Sequence, residues 1–254
     1  MIKVYVEGSS FYGKMIEDSI IISDPIKADL IIFTGGADVN PKLYSETCHN
    51  TTRFSDERDD KDKAIYTLAI KNNIPMLGIC RGAQFLTVMN GGKLIQHVEG
   101  HANGDHNASL HDPSAIGIEG EVFNTTSTHH QMMYPFNLDP SSYDILASSE
   151  EELSSIYHKN KTEVFKEEEI DVECEIVYYK ETLCLCIQGH PESMLTDEVM
   201  MTIVNNMVDV YLFLHPFMDG SEDTLLLEEA KKKESVEKLF LSQEEETGEL
   251  ENFL

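Results

Sequence analysis

The chain has 254 residues with 46 acidic against 19 basic side chains, a formal net charge of −27. Such a balance repels the phosphate backbone and argues against nucleic acid as a partner; the longest apolar run, "ADLIIF", falls far short of the roughly 20 residues of a membrane span. Five cysteines without a CxxC pair, and no charged-then-apolar leader before the first strand-like run, lead us to expect one large soluble domain in a reducing cytoplasm.

The opening "MIKVYVEG" alternates as a strand does, and "ADLIIFTGG" is an apolar run stopped by two glycines, as expected of a strand buried on both faces. A polar stretch from Ala37 to Asp62 follows. Apolar residues Ala64, Ile65, Leu68 and Ala69 then recur at helical spacing from Lys63 to Lys71, and Asn72-Asn73 before Pro75 closes that helix. "PMLGI" reads as a third buried strand and "GAQFLTVMN" as a second helix, stopped by Gly91-Gly92. Strand and helix alternating with short connections predict an α/β fold with a mostly parallel sheet covered by helices. Later segments, "YDILAS", "SSIYH" and the pair "CEIVYY" and "LCLCIQ" around "KET", predict a smaller antiparallel portion. Helical spacing returns from Leu195 to Leu214. We place the domain at 1–216 and expect an acidic tail, partly helical or disordered, over 217–254, where twelve acidic and four basic residues follow Met218.

Cys80 falls where a buried strand hands over to a helix, with Gly78 and Gly82 at minus two and plus two. This is the requirement of a nucleophile elbow, because only small neighbours let so tight a turn form without clashes. The positive end of the following helix would favour the thiolate. Spacing alone leaves a second reading open, in which Cys80 is a small buried hydrophobe.

A cysteine nucleophile needs a base, and "CIQGHPES" offers His190, followed by Pro191 and then Glu192. Proline holds the preceding backbone extended, so the histidine and glutamate can project to one side. The carboxylate would then fix the ring tautomer while the other nitrogen faces the sulfur. For the oxyanion, the backbone N–H of Arg81 is one donor, and Gly36 in "TGGAD", ending an earlier strand, can bring a second.

With these pieces in place the sequence resembles the class I glutamine amidotransferase-like family, and within it the γ-glutamyl-γ-aminobutyrate hydrolase branch, peptidase C26. The resemblance rests on "TGGADVNPKLY" at 34–44, "ERD" at 57–59, "PMLGICRGAQFLTVMNGGKLIQ" at 75–96, "TSTHHQ" at 126–131 and "CIQGHPE" at 186–192. It implies a three-layer α/β/α, flavodoxin-like fold and a Cys80, His190, Glu192 triad. It implies Gly36 and Arg81 as the oxyanion donors, Gln84 beside the glutamyl substrate, and His129, His130 and Gln131 at the substrate's far end. It also implies a small-molecule γ-glutamyl substrate, no metal and no organic cofactor. The N-terminal strand–helix unit is expected to be shortened.

The activity so implied is hydrolysis of a γ-glutamyl amide bond through a cysteine thioester. Two rivals stand beside it: a glutaminase component that feeds ammonia to a synthetase partner, and a non-catalytic binding protein on the same fold. A homodimer is a further possible assembly. The segment "QHVEGHANGDHNASLHD" gathers His97, His101, His106 and His111 with Asp105 and Asp112. Its ligand spacing is irregular for zinc, so we expect a mobile loop over the active site rather than a metal centre. Cys184 and Cys186 alternate along one strand and are expected to be structural; Cys48 and Cys174 carry no visible chemistry.

Overall fold

The computed structural model describes residues 1–102 and 104–214. The acidic tail expected over 217–254, and the domain boundary at 216, lie outside the described residues.

The first strand, β1 (Ile2–Glu7), leads through a 3-10 helix at Ser10–Met15 to β2 (Ser19–Ile22) and β3 (Leu30–Phe33). Helix α1 (Asp56–Asn72), strand β4 (Met76–Ile79) and helix α2 (Arg81–Met89) follow. Next come β5 (Lys93–Ile95), β6 (His97–Val98), β7 (Gly104–Leu110), β8 (Val122–Ser127), β9 (Met132–Tyr134) and β10 (Tyr143–Ser149). The described chain closes with β11 (Tyr157–His158), β12 (Cys174–Tyr179), β13 (Cys184–Ile187), α3 (Glu198–Met207) and a π-helical turn at Val208–Leu214.

Nine strands form one sheet in the order β2-β1-β3-β4-β13-β12-β10-β7-β8. The first five are parallel; from β13 onward each neighbour pairs antiparallel. Only β12 and β7 therefore run against the other strands. Strand β13 is the seam, parallel to β4 on one side and antiparallel to β12 on the other.

Alternation along the central strands sorts side chains onto the two faces. Ile31, Phe33, Met76, Cys184, Cys186 and Val177 pack with Ala69 of α1 and Ala83, Phe85 and Leu86 of α2. Leu30, Ile32, Leu77, Leu185, Ile187 and Tyr178 pack with Met15, Ile16 and the α3 residues Met200, Ile203, Val204 and Met207. Helices on both faces make the three-layer α/β/α arrangement expected. A third, smaller cluster joins Ile95, Val98, Met132, Tyr134, Tyr157 and Phe165 beside the short two-stranded ladders.

The structure departs from the expected elements in three places. Helix α1 begins at Asp56, seven residues before the apolar period starts. Ser55 caps it, and Asp56, Glu57 and Asp59 in its first turn suit the helix dipole, so capping and charge extend it where apolar spacing gives no signal. "SSIYH" contributes only the two-residue β11. The histidine-rich stretch is not a loop throughout: residues 104–110 form β7, paired to both β8 and β10. Among the described residues, no helix is long and apolar enough to cross a membrane.

Candidate active site

Strand β4 ends at Ile79, and the next residue, Cys80, takes φ +50° and ψ −110° before α2 begins at Arg81. A non-glycine residue with positive φ is strained and persists only when its surroundings hold it there. Two close approaches do so. A Cβ on Gly82 would lie 2.1 Å from the Phe33 carbonyl oxygen, and one on Gly78 would lie 2.7 Å from the Gly82 carbonyl. The Cys80 N–H donates to the Ile187 carbonyl at 2.8 Å, tying the elbow to the end of β13.

His190 follows β13 by two residues and begins the 3-10 turn Pro191–Ser193. Its Nδ1 lies 2.7 Å from Glu192 Oε1. Thr126, in β8, grips its backbone from both sides: Oγ1 accepts from the His190 N–H at 3.3 Å and donates to its carbonyl at 3.1 Å. Burial opposes a charge on this ring, but the Cys80 side chain and Glu192 together outweigh it and raise the His190 pKa from 6.5 to about 10. Cys80 is 8% exposed, so the pair is largely shielded from water.

Gly35 sits at the meeting point. A Cβ there would lie 3.1 Å from His190 Cε1, 3.8 Å from Cys80 Cβ and 3.0 Å from the Tyr12 hydroxyl. Its neighbour Gly36 has φ +151°, a conformation that favours glycine, and opens toward Arg58. The Arg81 N–H lies in the first turn of α2, where a helix has no internal acceptor to offer. Its side chain points elsewhere: buried, it pairs with Asp59 and Asp62 of α1 and donates to the Ala37 carbonyl at 3.1 Å. Asp59 in turn accepts from the Asn40 N–H at 3.0 Å. The "ERD" segment thus braces the loop that follows Gly36.

The other expected residues divide. Gln84 is buried, and its Nε2 donates to the Gln131 carbonyl at 2.9 Å, so it fixes the 129–131 segment from beneath. His129 is buried with Nδ1 2.9 Å from the same carbonyl and is close enough to His190 to feel its charge. Burial, then neighbouring His101, hold the His129 pKa well below 6.5. Gln131 is buried as well, and its Nε2 donates to Thr52 Oγ1 at 3.1 Å. His130 turns away, its Nε2 3.3 Å from Asp38 Oδ1 and its ring beside His97, which also neighbours His49 and His158.

Tyr12 and Thr126 escaped the sequence reading. Tyr12 lies in the short helix after β1, half-buried; burial first, and then the Glu192 charge, raise its pKa, so the hydroxyl stays protonated beside that carboxylate. No period or motif marks Tyr12, and Thr126 opens the "TSTHHQ" segment without a role of its own; only the tertiary fold brings them to His190. Cys184, Cys186 and Cys174 are buried under the sheet with their thiols pushed up by desolvation, Cys184 to about 11, consistent with structural packing.

A family model described as Peptidase C26 matches residues 17–192, more than half of the chain. The glutamine amidotransferase-like protein YvdE of Lactococcus lactis is 31% identical over 178 residues, covering 65% of this chain and 66% of that protein. A Schizosaccharomyces pombe protein provisionally assigned as a glutamine amidotransferase is 29% identical over 184 residues, 68% of this chain and 65% of its own length. The chain thus spans about two thirds of the length of these two relatives. Among solved structures, PurLQS from Thermotoga maritima superposes with a TM-score of 0.55 at 14% identity, over 82% of this chain and 99% of that one. The glutaminase domain of Trypanosoma brucei CTPS with bound acivicin gives 0.51 at 14% identity, over 83% and 94%. By its family match and by its fold, the chain belongs to the peptidase C26 family of class I glutamine amidotransferase-like proteins.

Proposed function

We propose that the protein hydrolyses a γ-glutamyl amide bond with Cys80 as nucleophile, His190 as base and acid, and Glu192 as the group that orients His190. The observation that carries this reading is His190 standing between Glu192 and Cys80, with its proton affinity raised by both. A histidine so placed holds a proton at neutral pH that it can give to a leaving group.

In the proposed course the sulfur attacks the γ-carbonyl carbon, and the carbonyl π electrons move to oxygen. The N–H groups of Arg81 and Gly36 would meet that oxyanion. As the C–N bond breaks, the His190 imidazolium gives its proton to the departing ammonia or amine. Neutral His190 then takes a proton from water, the hydroxide attacks the thioester, and the C–S bond breaks to return the thiolate and release glutamate. His129, buried near His190, and Gln131 would bound the glutamyl group, with Gln84 holding their segment in place.

Incubating wild type and Cys80→Ala with glutamine and a panel of γ-glutamyl amines, and measuring released glutamate, tests this. Release by wild type alone supports it. Equal release by Cys80→Ala removes Cys80 from the role, and no release by wild type from any substrate removes the standalone hydrolase in favour of a partner-dependent glutaminase.

A further inference from the structure

Beneath His129 lies a buried polar cluster that the glutamyl chemistry does not use. His101, in the connection between β6 and β7, His106 of β7 and Glu175 of β12 bring three ligand atoms within 4.8 Å of one another. His101 is fully buried and Glu175 is 1% exposed. His106 Nε2 lies 2.9 Å from Glu175 Oε1, and His101 Nδ1 lies 3.8 Å from the same oxygen. Donors bound at about 2.0–2.2 Å to a common tetrahedral ion stand about 3.4 Å apart; the two His–Glu175 separations bracket that value, and the histidine nitrogens, within 4.8 Å of each other, would draw together on binding.

On the His101 side the surroundings are those of a metal site's outer shell. Glu173 faces the far side of the His101 ring, its carboxylate 3.0 Å from Nε2. That carboxylate is already fixed by the N–H groups of Leu153 and Ser154, each at 2.9 Å, and by the Tyr157 hydroxyl at 3.0 Å. An acceptor held in this way selects the tautomer with the proton on Nε2 and leaves the Nδ1 lone pair aimed toward Glu175. Apart from Glu175, Nδ1 has the Ser127 hydroxyl at 3.5 Å; carboxylate, imidazole and ion in that order is the relay that orients metal-binding histidines. Glu175 Oε2 is buried and has no hydrogen-bond partner among the described residues. Two carboxylates taken out of water also call for compensating positive charge.

We propose that His101 Nδ1, His106 Nε2 and the Glu175 carboxylate bind a divalent transition-metal ion of the zinc type, with Glu173 positioning His101. Three protein ligands leave one coordination position for water. The ion would join β7 to β12, which are not sheet neighbours but are separated by β10. Its role is structural, since it sits behind His129, whose ring stacks on His101 with centroids 4.8 Å apart. The two glutamates come from a segment about seventy residues beyond the histidines, so ligand spacing in the sequence gives no sign of the cluster.

The full chain, stripped with a chelator and titrated with Zn²⁺ against a chromophoric competitor, is expected to take up one equivalent. Co²⁺ in its place is expected to give the visible absorption of a tetrahedral site, a readout that needs no variant. His106→Ala and Glu175→Gln should each weaken Zn²⁺ binding at least about 100-fold, and Glu173→Gln about 10–100-fold. His97→Ala, in the separate group with His49 and His158, should leave it unchanged. The proposal fails if wild type binds no equivalent of Zn²⁺ and shows no tetrahedral Co²⁺ spectrum, or if His97→Ala abolishes binding while folded His106→Ala retains it.

Discussion

Glu192 Oε1 stands 2.7 Å from His190 Nδ1, although the two residues are separated only by Pro191. So short a sequence path makes their geometry local, while the sulfur they are proposed to serve follows a different strand, β4. The amide oxygen of Glu192→Gln can still accept from the ring but brings no charge, so the imidazolium loses part of its stabilisation. We expect kcat for glutamate release to fall roughly 100-fold or more; a change below about threefold would remove Glu192 from the orienting role.

The raised proton affinity of His190 has a stability consequence with a definite sign. Its pKa is 6.5 in the unfolded reference and about 10 in the fold. The native state therefore holds a proton that the unfolded chain has lost throughout that window, and the contribution, full below 6.5, declines as pH rises toward 10. The urea midpoint of wild type is expected to drop between pH 7 and 10 more steeply than that of Cys80→Ala, in which one source of the shift is gone. An NMR titration of the His190 Cε1 proton reports the same quantity directly; a midpoint near 6.5 in wild type would contradict it.

Tyr12 keeps its proton beside Glu192 and lies against Gly35. In the proposed reaction it would act through Glu192 rather than on substrate, so Tyr12→Phe should lower kcat about tenfold, the equivalent of roughly 1.4 kcal/mol, and leave KM unchanged. The alkaline limb of the kcat profile should move as well, which a loss of packing alone would not produce. An unaltered profile with unaltered kcat would make Tyr12 a spectator.

At the elbow, backbone meets backbone. A Cβ at residue 82 would reach 2.1 Å from the Phe33 carbonyl oxygen, and neither side can yield without moving α2 or β3. Gly82→Ala should cost about 1–3 kcal/mol or more in urea unfolding, together with most of the activity. Full stability in that variant would mean that the elbow is looser than its contacts imply.

Arg81 is buried between Asp59 and Asp62. Asp59→Ala leaves the guanidinium with half its counter-charge and the Asn40 N–H without its acceptor. The expected loss is about 3–5 kcal/mol in chemical denaturation; a loss under about 1 kcal/mol would show that Asp62 alone suffices.

The parts of this molecule that use local spacing were legible in the chain. The glycines around Cys80, the proline between His190 and Glu192, and the apolar runs of β3, β4, β12 and β13 all announce their roles within a few residues. What escaped depends on partners far apart in sequence. Strand β7 hides because His106 is held, half-buried, by pairing with Glu175 rather than by apolar packing, so its pattern looks like a polar loop. Gln84 matched a motif but spends its amide on Gln131, and adjacent His129 and His130 part company because one turns inward to His101 and the other out toward Asp38. Arg81 was chosen for its N–H; nothing in its neighbours foretold that its side chain would lock α1 to the loop after Gly36.

Strand β13 lies in register with β4, Ile187 opposite Ile79, and both strands end where Cys80 and His190 begin their work. The spacing of Cys80 and His190, the proposed nucleophile and base, is thus measured out in rungs of one parallel ladder. Loops that join the antiparallel strands can lengthen or shorten across descendants of this gene without disturbing that measure, whereas a single inserted residue between Leu185 and His190 would carry the imidazole to the opposite face of the sheet. Length variation should therefore accumulate on one side of the seam and be purged at the seam itself.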